Sequence, residues 1–137
     1  MIDAGSLSRL ALFADLPSPE LQAVAETMEE DSFARGARAL REGLSANVFY
    51  VITDGEASVM IDGTERARLR AGDFFGEVAI FTGDAAGADV VAASEELRCA
   101  VLPGSQLKPL LLEYPQVALR MLEVGARRLQ SANLWSE

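Results

Sequence analysis

The chain has 137 residues, half of them hydrophobic, and carries 21 acidic side chains against 12 basic ones for a formal net charge of −9. That length is enough for one domain that buries roughly two-thirds of its unfolded surface, so no covalent or metal staple is required. With no histidine and a single cysteine, Cys99, an internal disulfide, a four-cysteine cluster and a histidine-ligated haem or zinc are excluded, and the acidic balance argues against direct contact with a nucleic-acid backbone.

No apolar run approaches the length of a membrane span, and Met1-Ile2-Asp3-Ala4 is not a charged-then-apolar leader. A cytoplasmic protein with no membrane partner is expected. Residues 6–30 read as helical, because Leu7, Leu10, Ala11, Leu16, Leu21, Val24, Ala25 and Met28 recur at spacings of three and four. Within them Ser18 is the expected N-cap of a helix with Pro19 at its first position and Glu20 in its first turn. From Asp31 the pattern changes to short stretches punctuated by Gly36, Gly43, Gly55, Gly63 and Gly72, the interval of a sandwich or barrel. Val48-Phe49-Tyr50-Val51-Ile52 is a β-rich strand that ends in the turn Thr53-Asp54-Gly55. Residues 57–61 turn at Asp62-Gly63 into residues 64–69, a strong hairpin signal. Arg66, Arg68 and Arg70 alternate on that second strand and predict a solvated face.

The most informative stretch is Gly72-Asp73-Phe74-Phe75-Gly76-Glu77-Val78-Ala79-Ile80-Phe81, followed by Asp89-Val90-Val91-Ala92-Ala93. Phe74 and Phe75 would point to opposite sides of a strand and each glycine invites a turn, so the stretch reads as strand, tight turn and short helical turn. The amides of Gly76, Glu77 and Val78 are then candidate donors to an anion. Glu77 faces the same place and accepts hydrogen bonds from a hydroxyl or amine. A sugar phosphate or nucleotide satisfies both.

Residues 97–102 form a further apolar segment in which Cys99 reads as a buried, inert thiol. After Pro103, Ser105 is the expected cap of a helix over residues 106–113, and Pro115 opens a longer helix reaching about Trp135. Its stripe Ala118, Leu122, Gly125, Leu129 and Ala132 is spaced like a two-helix seam. No nucleophile elbow, phosphate loop or histidine is present, and Asp73 with Glu77 reads more simply as a turn residue beside a pocket glutamate. The chain is not expected to be an enzyme.

Residues 72–93 resemble the phosphate-binding cassette of cyclic nucleotide-binding domains, whose pattern is Gly-Asp-Phe-Phe-Gly-Glu, an apolar helical turn, a loop, then Arg-Ser/Ala-Ala-Thr-Val-x-Ala. Leu12-Phe13-Ala14-Asp15-Leu16 and the Phe49-Tyr50-Val51-Ile52 strand with its glycine turn resemble other parts of the same family. The resemblance implies an α+β fold, an antiparallel β-roll (double-stranded jelly roll) flanked by N-terminal helices and a C-terminal helix pair. The whole chain, residues 1–137, would be one such domain, with helices over 1–30, the roll over 31–103, the cassette over 72–93 and helices over 104–137.

It further implies cAMP or cGMP as possible ligand and no cofactor. The amides of Gly76, Glu77 and Val78 with Ala88 would hold the phosphate, and Glu77 would take a ribose hydroxyl. The register places Gly87 where the family carries its phosphate-pairing arginine, and a shift by one residue offers Ala86 instead. Asp89 stands where the family has a small or hydroxyl residue, and with Asp84 it adds negative charge. One of Arg66, Arg68, Arg70 or Arg98 is the candidate substitute cation.

Residues 125–130 resemble the start of the dimer helix of bacterial cAMP-receptor regulators, which implies a homodimer through the C-terminal helix, with Ala132 and Asn133 at the positions that reach the base. In the transcription factors of that group a helix-turn-helix would follow; with none before Glu137, a stand-alone sensor or a regulatory piece of something larger is expected. Two readings stand at this point: a cyclic nucleotide sensor that signals through its last helix, or a degenerate pocket serving dimerisation or partner docking.

Overall fold

The computed structural model describes residues 1–136, with side chains through Ser131. Residue 137 and the side chains of Ala132 and Asn133 lie outside the described residues. Three short elements open the chain: α1 (Ala4–Ser8), a 3-10 turn at Ala11–Phe13, and α2 (Ser18–Thr27). The strands are β1 (Glu29–Ala34), β2 (Arg38–Leu40), β3 (Val48–Asp54), β4 (Glu56–Ile61), β5 (Thr64–Arg70), β6 (Phe74–Phe75), β7 (Asp89–Ala92) and β8 (Glu96–Pro103). The helix α3 (Glu77–Thr82) separates β6 from β7, and α4 (Leu107–Glu113) and α5 (Pro115–Ser136) follow β8.

The strands form two four-stranded antiparallel sheets, ordered β1-β8-β3-β6 and β2-β7-β4-β5. The expected α+β class, β-roll and C-terminal helix pair are all present. Strand β3 is buried on both faces, which explains its unbroken apolar run. Phe49 and Val51 enter a core shared with α1, α2, α4 and α5. Tyr50 and Ile52 enter a second core between the sheets, together with Ala57, Leu69, Val90, Leu97 and Cys99. The adjacent aromatics divide in the same way: Phe74 packs in the helical core and Phe75 in the inter-sheet core, where it stacks on Tyr50 at 4.6 Å. That division fixes β6 in register and so fixes where α3 begins. Among the described residues no helix is long and apolar enough to cross a membrane.

Several expected boundaries move. The segment read as helical over residues 6–30 contains two helices and a 3-10 turn, and β1 already starts at Glu29. Helix α2 begins at Ser18, one residue earlier than expected, and Ser18 does not cap it; the amide of Leu21 donates to the Pro17 carbonyl at 2.9 Å. Ser105 likewise caps nothing, because it lies inside a 3-10 turn over Gly104–Gln106 and α4 starts without a side-chain cap. Here the chain is held by its backbone instead: the Gly104 amide donates to the Asn47 carbonyl at 2.8 Å. A Cβ on Gly104 would collide with Asn47, so tertiary contact replaces capping.

Candidate functional site

The cassette is organised by Gly76. Its φ of +92° is left-handed, and a Cβ there would collide with the Val48 carbonyl oxygen. Only glycine lets the chain turn this tightly against β3, and the turn delivers Glu77 as the first residue of α3. The helix is only six residues long and ends at Gly83, whose φ is +75° and whose amide donates to the Ala79 carbonyl at 2.9 Å. Asp73 is a turn residue: its Oδ2 accepts from the Arg70 amide at 2.8 Å. It is therefore not half of a carboxylate pair with Glu77.

Glu77 is only 14% exposed, and its Oε2 lies 3.6 Å from Nη1 of Arg128 on α5. Burial pushes its carboxyl above the ordinary glutamate range, and the Arg128 charge opposes that push. Arg128 has two further contacts. Its Nη2 donates to the Phe74 carbonyl at 2.7 Å, and its guanidinium carbon lies 4.5 Å from the Phe74 ring centroid. One arginine thus touches the strand before the turn and the carboxylate after it.

The loop after α3 is fastened to the β2–β3 connection. The Gly43 amide donates to the Ala86 carbonyl at 2.8 Å, and the Ala86 amide donates to the Leu44 carbonyl at 2.9 Å. Asp89, at the start of β7, accepts from the Glu42 amide at 2.7 Å through Oδ1 and faces Arg38 Nε at 3.7 Å through Oδ2. Gly87 between them is exposed, and a Cβ built there would meet no atom within 4 Å.

A family comparison now meets this geometry. The family described as the cyclic nucleotide-binding domain matches residues 30–114, more than half of the chain. The chain belongs to the cyclic nucleotide-binding domain family. It is 34% identical over 92 residues to the cGMP-dependent protein kinase egl-4 of Caenorhabditis briggsae, covering 63% of this chain and 12% of that protein. It is similar in structure to the regulatory domain of Toxoplasma gondii PKA with cAMP, at a TM-score of 0.75 and 24% identity, covering 90% of this chain and 48% of that one. It is also similar to the regulatory subunit of a cAMP-independent protein kinase A from Trypanosoma cruzi bound to guanosine, at a TM-score of 0.69 and 23% identity, covering 80% of this chain and 39% of that one. At such identities these two structures show the fold alone. The chain spans less than half the length of each of these three relatives.

In this cyclic nucleotide-binding domain, Gly76, Glu77 and Val78 are consecutive at the mouth of α3, whereas Gly87 and the half-buried Ala88 lie across the loop at the entrance to β7. Three of the four arginines expected as substitute cations are paired elsewhere. Arg68 pairs with Glu65 at 2.9 Å and Glu56 at 3.7 Å, Arg70 faces Glu56 at 3.8 Å, and Arg98 pairs with Glu96 at 2.7 Å. Arg66 is exposed on β5.

The expected helix seam lies on the outer side of α5, away from the domain. The face of α5 that packs on the domain is Val117, Met121, Val124 and Arg128. Leu122 and Leu129 of the expected stripe are 68% and 63% exposed. The residue at the candidate site that sequence reasoning passed over is Arg128. Its signal was its place four residues after Val124, in line with Val117 and Met121, where an apolar residue would continue the row.

Proposed function

We propose that this domain is a regulatory sensor that binds a ribose-containing ligand at the cassette and passes the binding event to α5. The observation that carries the reading is the Glu77 carboxylate, 14% exposed and paired to Arg128. A buried charge in so apolar a run has no packing rationale, because a hydrophobe would be cheaper there. A carboxylate has about four lone-pair sites, so pairing with one guanidinium leaves acceptors for a ribose diol. The ligands named for the two structural neighbours, cAMP and guanosine, share that ribose. Ligand on Glu77 then competes with or completes the Arg128 contact, and α5 is the element that reports it. Leu122 and Leu129, exposed on the outer side of the same helix, are the residues through which a homodimer would form.

The test is isothermal titration of the purified protein with cAMP, cGMP, adenosine and guanosine. Binding of at least one of them, lost in Glu77→Gln, supports the sensor reading; silence toward all four up to millimolar concentration defeats it. A second reading, a cassette that has lost its ligand and serves as an interaction module, is favoured by Gly87 and by the self-fastened loop at Ala86. It predicts silence from the native protein and cAMP binding by a Gly87→Arg, Asp89→Thr variant.

A further inference from the structure

We infer that the cassette selects an uncharged ribonucleoside over a cyclic nucleotide. This rests on the sensor reading above and narrows its ligand. The two ends of the cassette differ in what they offer. The ribose end is intact: Glu77 is 14% exposed, paired with Arg128, and placed by a glycine turn that admits no other residue.

The phosphate end has amide donors but no side-chain cation at position 87. Position 87 carries no side chain and faces open space. Two residues on, Asp89 puts a fixed carboxylate at the start of β7. Arg38, the cation beside it, is spent on that carboxylate at 3.7 Å, and the other Asp89 oxygen is held by the Glu42 amide at 2.7 Å. Asp84 adds a second exposed carboxylate in the same loop. A phosphate monoanion arriving here meets like charge without the guanidinium that would compensate for its desolvation.

The loop also has no need of a phosphate to order it. Both backbone groups of Ala86 are bonded to Gly43 and Leu44, at 2.8 and 2.9 Å. Asp89 ties the same β2–β3 connection to β7, so the loop is closed by the protein's own atoms. A nucleoside presents hydroxyls in place of the phosphate, and hydroxyls donate to carboxylates and accept from amides without bringing charge. Neutral ligands therefore keep the contacts of the ribose end and escape the repulsion of the carboxylates at the other.

The deciding experiment is a competition titration of the native protein with adenosine and guanosine against cAMP and cGMP, with 2′-deoxyadenosine as the control for the ribose contact. At least one nucleoside is expected to bind tenfold or more tightly than its cyclic nucleotide, which corresponds to about one charge-assisted hydrogen bond. Removal of the 2′-hydroxyl is expected to weaken it by about tenfold or more. Gly87→Arg with Asp89→Asn, the latter retaining an acceptor for the Glu42 amide, is expected to raise cAMP affinity at least tenfold; no gain in cAMP affinity would overturn the inference. Native protein that binds cAMP or cGMP as well as the nucleosides overturns the inference and leaves the sensor reading standing. Native protein that binds none of the five compounds overturns both.

Discussion

The guanidinium of Arg128 lies over the ring of Phe74 at 4.5 Å and donates to the carbonyl of the same residue at 2.7 Å. The last helix therefore grips β6 by side chain and by backbone, immediately before the turn that places Glu77. This contact is the physical link between the cassette and α5, the element that would report its state under the proposed sensor reading.

Arg128→Ala removes the ring contact, the hydrogen bond to Phe74 and the Glu77 partner together. A loss of about 1 to 3 kcal/mol is expected in urea unfolding, with faster amide exchange in the second half of α5. Arg128→Lys is expected to recover less than half, since an ammonium cannot stack on the ring and reach both oxygens as the planar fork does. Unchanged stability and exchange in Arg128→Ala would show that α5 docks without this residue.

The pH dependence of Glu77 has a definite sign. Its carboxyl is raised in the folded state, mainly by burial, so between the ordinary glutamate pKa and the raised value the folded chain holds more protons than the unfolded one. Stability attributable to Glu77 therefore falls as pH rises through that window and is greatest below it. Chemical denaturation of the native protein and Glu77→Gln at pH 4 to 7 checks this: the native protein is expected to lose stability relative to the variant as pH rises. The opposite slope would mean that Arg128, not burial, controls the group.

The two faces of α5 are separable by mutation. Met121→Ala opens a cavity against the helical core, where Met121 is buried, and is expected to cost about 2 to 5 kcal/mol. Leu122→Asp, one residue on and 68% exposed, is expected to change monomer stability by about 0.5 kcal/mol or less. Sedimentation of the native protein and Leu122→Asp at micromolar concentration then tests the dimer: association in the first and its loss in the second are expected.

Glycines of similar backbone conformation carry different burdens. Gly76 and Gly83 have φ of +92° and +75°, but only at Gly76 would a Cβ meet another group, the Val48 carbonyl; at Gly83 nothing lies within 4 Å. Gly83→Ala is expected to cost about 1 kcal/mol, the left-handed penalty alone. Gly76→Ala adds a backbone collision, for a total of about 2 to 5 kcal/mol. Thermal unfolding of the two variants side by side measures the difference, and equal costs would place the Val48 contact in doubt.

The sequence by itself determined the elements whose cause is local. Alternation in β3 sends Phe49 and Tyr50 to different cores, the Asp62-Gly63 turn joins β4 to β5, and Gly72 to Glu77 specifies strand, turn and helix. In each case a glycine torsion or a period of two leaves one solution. The absence of an arginine at position 87 was equally legible, since no arrangement of the loop creates a side chain there.

Only the tertiary structure decided what depends on neighbours distant in sequence. On α5 the row Ala118, Leu122, Gly125, Leu129 and the row Val117, Met121, Val124, Arg128 have the same spacing and differ by one residue, so periodicity does not choose between them. The helical core does, because it buries Val117 and Met121 of one row, with α5 packed against the 3-10 turn at Ala11–Phe13 and α4. The choice carries Arg128 onto Phe74, 54 positions earlier in the chain. Ser105 fails as a cap for the same kind of reason: the Asn47 carbonyl holds the Gly104 amide at that chain entry, and a carbonyl brought close by folding leaves no trace in local composition.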